Sequence, residues 1–161
     1  MMNVSHVRIF VFRILTSQTR KEASWLEGRM TMDGHRVVIL SGDLDVSRRE
    51  QVIGEFRNAE CRVLITTNVC SRGLDIPQVN LIINWNMPVT RVGSADCETY
   101  LHRIGRSGRF GKEGVAVNFI THEEKYLLLE LEQHFRKLPS YFCFSFLGIS
   151  SFCSSVFILE N

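Results

Sequence analysis

Lysine is scarce and the charge balance is small: four lysines stand against fifteen arginines, and the net charge is only +2 over 161 residues. A diffuse lysine field is therefore absent, and the basic residues are of the flat, forked kind that recognises phosphate or carboxylate. No Cys-x-x-Cys spacing occurs among Cys61, Cys70, Cys97, Cys143 and Cys153. His6, His35, His102, His122 and His134 form neither a His-x-x-x-His pattern nor a Cys/His cluster. These absences argue against a zinc site, and an odd cysteine count without a framework suits a reducing compartment. Nothing reads Gly-x-x-x-x-Gly-Lys followed by a hydroxyl residue. Gly108-Arg109-Phe110-Gly111-Lys112-Glu113 has the wrong spacing and places glutamate where a magnesium-holding hydroxyl would stand.

Two ends of the chain also lack something. Met1 to Arg20 contains Arg8, Arg13 and Arg20 but no acid, which is the charge sign of a transit peptide. It is short of serine, and Arg8 and Arg13 break any signal-peptide apolar core, so a first strand is the preferred reading. Residues 138–159 carry no charge, five phenylalanines and six serines, with no capping signal and no helical period. The length nominally admits a membrane span, but the serines and irregular order argue against one. An edge strand near Val156-Phe157-Ile158-Leu159, or a tail arising from an altered reading of the gene, fits better, and no membrane partner is expected.

What remains is a globular composition: 45% hydrophobic and 22% charged residues in a chain of one-domain size. Five apolar runs read as strands: residues 9–15, 37–40, 63–65, 81–83 and 115–119. Helical patterns lie between them. Thr19 to Glu22, Ser47 to Glu50 and Thr121 to Glu124 have the form of capping boxes. Behind them come Ala23, Leu26 and Met30, then Val52, Ile53 and Phe56, then Leu127, Leu128, Leu131 and Phe135. Asp33-Gly34 closes the first helix. A polar connector from Thr90 to Ala95 precedes a short helix with Tyr100 and Leu101. Alternating strands and helices predict an α/β fold with a parallel sheet, whose ligands bind beyond the carboxyl ends of the strands.

Chemistry concentrates in two Arg/Gly segments. Tyr100 to Gly111 holds three arginines, a histidine and three glycines, a loop able to aim more than one guanidinium at a polyphosphate. Thr66 to Asp75 lies 25 residues upstream.

The run Thr67-Asn68-Val69-Cys70-Ser71-Arg72-Gly73-Leu74-Asp75, with His102-Arg103-Ile104-Gly105-Arg106-Ser107-Gly108-Arg109, resembles motifs V and VI of the DEAD-box RNA helicases. The likeness extends from Gln18-Thr19-Arg20 through Ser41-Gly42-Asp43 and Arg49 to about Phe135. It implies the second RecA-like domain of that family, over residues 17–137. Residues 1–16 are then an irregular segment with the first strand, and 138–161 a divergent tail. Cys97-Glu98-Thr99-Tyr100-Leu101-His102 and the long connector after Pro88 look most like the branch acting in mRNA export at the nuclear pore.

The resemblance implies roles. Arg106 and Arg109 match arginine fingers that reach across an interdomain cleft to the γ-phosphate of ATP. His102 matches a residue coupling ATP to domain closure. Gly73 and Asp75 match nucleotide positions. Thr67, Gly42, Arg49 and Arg20 match positions holding RNA phosphates and sugars. No paired aromatic platform is evident, so single-stranded RNA bound without regard to sequence is the expectation. An internal salt bridge is the alternative for Arg49 and Arg72. Asp-Glu-Ala-Asp and Ser-Ala-Thr are missing, so magnesium and the phosphate cradle are expected in an N-terminal RecA-like domain outside these residues. Asn68 stands where many members have aspartate. Expected partners are that domain, RNA or ribonucleoprotein, and nuclear-pore export factors, in the cytoplasm or nucleus. A catalytically inactive RNA- or partner-binding module, and a DNA-acting helicase group with the same fold, are the other readings.

Overall fold

The computed structural model describes residues 12–67, 76–107 and 114–135 in full, and the backbone of 142–149 and 152–159. Five strands run parallel: β1 (Phe12–Ser17), β2 (Val37–Leu40), β3 (Val63–Thr67), β4 (Val79–Asn84) and β5 (Gly114–Ile120). Among the described residues four helices alternate with them: α1 (Arg20–Met32), α2 (Val46–Arg57), α3 (Cys97–Ile104) and α4 (Lys125–Phe135). This is the α/β architecture expected from the apolar runs.

Strand β1 is central, in the order β2-β3-β1-β4-β5. Its register pairs Leu15 with Ile65 and Ile14 with Leu64 and Ile82. Alternation along the strands then divides the core. Leu15, Val63 and Ile65 meet Ala23 and Leu26 of α1 on one face. Ile14, Leu64 and Ile82 meet Phe56, Tyr100, Ile104, Leu131 and Phe135 of the other three helices on the opposite face. Within the described residues the first strand runs on to Ser17, two residues past the run 9–15, and Arg13 sits in it; residues 9–11 lie outside the described residues. There Arg13 lines a shallow depression of about 340 Å³ with Arg36 and Arg62, remote from the strand ends that carry the motifs.

The three capping signals have different fates. At α1 the box forms as expected: Thr19 Oγ1 accepts from the Glu22 N–H at 3.2 Å, and the Glu22 carboxylate accepts from the Thr19 N–H at 3.2 Å. At α2 the expected Ser47 box is wrong. Asp45 is the cap, its Oδ1 accepting the Arg48 N–H at 2.7 Å; the helix starts two residues earlier, and Ser47 lies in its first turn. At α4 only half the box survives: Glu124 accepts from the Thr121 N–H at 2.8 Å, and the helix starts one residue later. Gly34, at φ +84, ends α1 as its position after Asp33 suggested.

The tail is also corrected. Residues Phe142–Ile149 (β6) and Phe152–Leu159 (β7) form a hairpin, and β7 pairs antiparallel with β5. Val156 to Leu159 therefore lie inside the seven-stranded sheet, with β6 at its edge. Uncharged alternation suits a strand, but an edge position is not legible without knowing how many strands follow. Among the described residues no helix is long and apolar enough to cross a membrane.

Candidate nucleotide and RNA interface

The sequence-predicted residues divide between two groups at the carboxyl ends of the strands. The first begins at β1 and β3, whose last residues Ser17 and Thr67 are register partners. Thr67 is buried at the end of β3, at 7% exposure. Arg20 is the first residue of α1, and Gly42 lies in the turn after β2. A long-range ion pair joins the two loops: Arg20 Nη1 lies 3.6 Å from Asp43 Oδ2, with both side chains more than half exposed. The Ser41 hydroxyl donates to Asp43, which chiefly holds that carboxyl below its ordinary value. Arg20, Gly42 and Thr67 thus share one rim. Arg49 follows on α2, half-buried and without an ion pair among the described residues, so the internal salt bridge is not what holds it.

Glu22 stiffens this rim. Its carboxylate accepts from the Ser17 hydroxyl at 3.0 Å, the Thr19 hydroxyl at 2.9 Å and Asn86 Nδ2 at 3.2 Å. Burial raises the Glu22 carboxyl, but these hydrogen bonds outweigh it and leave the group below 4.5. A depressed carboxyl contributes stability above its unfolded value and loses it as pH falls through the folded one. Replacing Thr19 with alanine should cost about 1 kcal/mol at neutral pH. That cost should shrink as pH falls through the lowered Glu22 value and the carboxylate takes up a proton. Urea titrations of both forms at pH 7 and at successively lower pH check this, and a pH-independent difference would refute it.

The second group lies at the end of α3. Asp96 caps this helix, accepting the Thr99 N–H at 2.9 Å. The connector before it is pinned to α4, where Tyr126 donates to the Gly93 carbonyl at 2.9 Å and Glu130 accepts the Ala95 N–H at 2.7 Å. His102 sits in the last turn, and its Nδ1 is buried without a hydrogen-bond partner among the described residues. Gly105 caps the helix; a Cβ there would lie 3.0 Å from the Leu101 carbonyl oxygen, a crowded contact that a side chain could make only if the helix end gave by a few tenths of an ångström. Arg106 follows, half-buried, its Nε donating to the His102 carbonyl at 3.1 Å. One edge of the fork is thus held by the helix end. Gly73, Asp75 and Arg109 lie outside the described residues.

Two features were missed by sequence reasoning. Trp25, Trp85 and Phe119 form a row with ring centroids 6.0 and 5.7 Å apart, and Trp25 is 60% exposed. Separations of 60 and 34 residues conceal the row in the sequence. The other is a buried polar network. Asn84 Oδ1 accepts from Thr16 Oγ1 at 2.7 Å and from Arg103 Nη1 at 3.2 Å, while Asn84 Nδ2 donates to Asn118 Oδ1 at 2.6 Å. Asn118 Nδ2 donates to the Tyr100 hydroxyl at 3.2 Å. The available signal was asparagine at positions 84 and 118 within otherwise apolar runs, and Tyr100 and Arg103 one helical turn apart.

Among the described residues no group of three or more His, Cys, Asp or Glu could hold a metal ion. Burial pushes the Cys61 thiol up to about 11, with Glu55 and Glu60 adding to the shift, which marks it as a core residue and not a nucleophile.

Comparison with known proteins bears on both groups. Residues 4–111 match the family described as helicase conserved C-terminal domain. The ATP-dependent RNA helicase DDX25 of Xenopus laevis is 52% identical over 122 residues, 76% of this chain and 25% of that protein. The DEAD-box helicase Dbp80 of Drosophila melanogaster is 50% identical over 125 residues, 77% of this chain and 27% of that protein. The chain thus spans about a quarter of the length of these curated relatives. S. cerevisiae Dbp5 bound to RNA and ADP BeF3 superposes with a TM-score of 0.74 at 40% identity, covering 81% of this chain and 34% of that one. A variant of Dbp5 bound to Nup159, Gle1, IP6 and ADP matches with a TM-score of 0.70 at 39% identity, covering 80% and 33%.

Proposed function

Because the chain belongs to the helicase conserved C-terminal domain family, in its DEAD-box RNA helicase branch, we propose that it is the second RecA-like half of an ATP-dependent RNA helicase. In this reading it closes on an N-terminal domain around ATP and single-stranded RNA. Arg106 and Arg109 neutralise the γ-phosphate held by that domain, and His102 couples the nucleotide to closure. Gly73 and Asp75 face the nucleotide. Arg20, Gly42, Arg49 and Thr67 grip the RNA chain through phosphate and sugar, without reading bases. The reaction is RNA-stimulated ATP hydrolysis coupled to strand separation or ribonucleoprotein remodelling, probing the same chemistry as its relatives. Magnesium is held by the partner domain.

The observation that supports this reading is that one motif group follows the carboxyl ends of β1, β2 and β3, while the other is tied through Arg103 to the carboxyl end of β4. A guanidinium held at a helix end and a hydroxyl–guanidinium rim share the carboxyl ends of the strands, where α/β sheets bind ligands. The likeness to a Dbp5 complex with Nup159 and Gle1 supports nuclear-pore export factors as partners and mRNA export as the process. Free thiols at Cys61 and Cys97 accord with the cytoplasm or nucleus.

The 161 residues taken alone carry no Gly-x-x-x-x-Gly-Lys-Ser/Thr cradle, so they should hydrolyse ATP at background rate. Joined in place of the matching quarter of Drosophila Dbp80, they should restore RNA-stimulated turnover. An inactive but folded chimaera would favour a non-catalytic binding module instead. Salt-titrated binding to RNA and to DNA of the same sequence separates the RNA reading from a DNA-acting one.

A further inference from the structure

Arg103 is the residue in the arginine segment that no role yet explains. Its side chain is completely buried, at 0% exposure. Nη1 donates to Asn84 Oδ1 at 3.2 Å and to the Asn86 carbonyl at 2.7 Å. Those acceptors lie at the end of β4 and in the loop beyond it. Through Asn84 and Asn118 the same network reaches Thr16 of β1, the strand β5 and Tyr100 of α3. A buried guanidinium is costly, and an apolar side chain of similar volume often packs at least as well. What an apolar side chain cannot do is bridge two acceptors on a strand end with directional bonds.

That direction is passed on through backbone. The Arg103 carbonyl accepts the Arg106 N–H at 3.4 Å, and the neighbouring His102 carbonyl accepts Arg106 Nε at 3.1 Å. Ser107 ties the next residue back, its N–H and its hydroxyl each donating to the Ile104 carbonyl at 3.0 Å. Arg106 is therefore aimed by a helical turn whose own orientation is set by the Arg103 fork. We propose that Arg103 is a positioning residue for Arg106: its buried bridge to Asn84 and Asn86 sets the direction in which the finger leaves the end of α3. This rests on the functional reading above for its kinetic consequence, and on geometry alone for its structural one. Burial lowers the Arg103 guanidinium to about 10, countered in part by Asp96, and it stays charged at neutral pH.

Arg103→Lys keeps the charge and the stem but loses the planar fork. In the 161-residue chain, the Arg106 Nε–H resonance should shift and exchange faster with solvent. In the Dbp80 chimaera, kcat should fall by about 100-fold, the scale of a 1 Å misplacement, with KM for ATP and RNA affinity within about threefold. A lowered melting temperature with an unchanged Arg106 Nε–H signal, or with unchanged kcat, would reduce Arg103 to a stabilising residue and overturn the inference. An inactive unsubstituted chimaera would instead overturn the functional reading, and the resonance would still decide this one. Should Arg103→Lys not fold, Tyr100→Phe removes only the hydroxyl at the far end of the network. A smaller Arg106 shift in the same sense supports the bridge, and no shift refutes it.

Discussion

Arg109→Ala and Arg106→Ala, each made in the Dbp80 chimaera, should lower RNA-stimulated turnover by about 10³- to 10⁵-fold, the range found for arginine fingers. That corresponds to roughly 4–7 kcal/mol of barrier. The size follows from when the interaction is made. A guanidinium supplied across a cleft meets the γ-phosphate as charge develops on it, so it lowers the transition state more than the bound ground state. RNA affinity should therefore stay largely intact, because Arg20, Arg49, Gly42 and Thr67 belong to a separate rim. Arg106 itself is tied to its own helix end, where its Nε donates to the His102 carbonyl, whereas Arg20 pairs with Asp43. Single-turnover hydrolysis and RNA binding by anisotropy measure the two effects separately. Unchanged turnover for either variant would remove that arginine from the catalytic pair, and a parallel loss of RNA affinity would merge the two groups.

Much of this arrangement was legible before any coordinates. Val37 to Leu40 and Val63 to Ile65 are short unbroken apolar runs, a pattern that needs helices on both faces and so predicts a parallel sheet. Thr19 and Glu22 stand at the spacing of a capping box, and the box forms. The site motifs are legible only as residue types, arginine forks and glycines; of these, Gly105 sits at the end of α3 with little room for a Cβ. The rest failed for physical reasons. Asp45 displaced Ser47 as a cap because it starts the helix two residues earlier and takes the Arg48 N–H, which puts Ser47 inside the first turn; sequence spacing does not rank the two starts. The Trp25–Trp85–Phe119 row and the Arg103 network join residues 17 to 68 positions apart, and only the register of β1, β4 and β5 brings them together. Helical geometry sends Arg103 into the protein and leaves Arg106 half-buried at the end of α3.

Asn84→Leu should be among the most destabilising substitutions in the chain, at about 3–5 kcal/mol, close to the loss seen when one partner of a buried charged contact is removed. Asn84 is fully buried, and its amide serves three groups at once: the Thr16 hydroxyl, the Arg103 guanidinium and the Asn118 carbonyl oxygen. Leucine matches its volume but leaves each of these without that partner, and an unmet buried polar group costs about 1–3 kcal/mol. A domain of this size is stable by only about 5–15 kcal/mol, so the variant should sit near the edge of folding. Asn84→Asp provides the contrast. It keeps acceptors for Thr16 and Arg103 and gives the guanidinium a carboxylate, losing only the donor to Asn118. Its cost should be smaller than that of leucine although it buries a charge. Denaturant midpoints at constant m-value give both numbers. If leucine were tolerated better than aspartate, the network would be a passive filler of the sheet, and Arg103 could not draw its direction from Asn84.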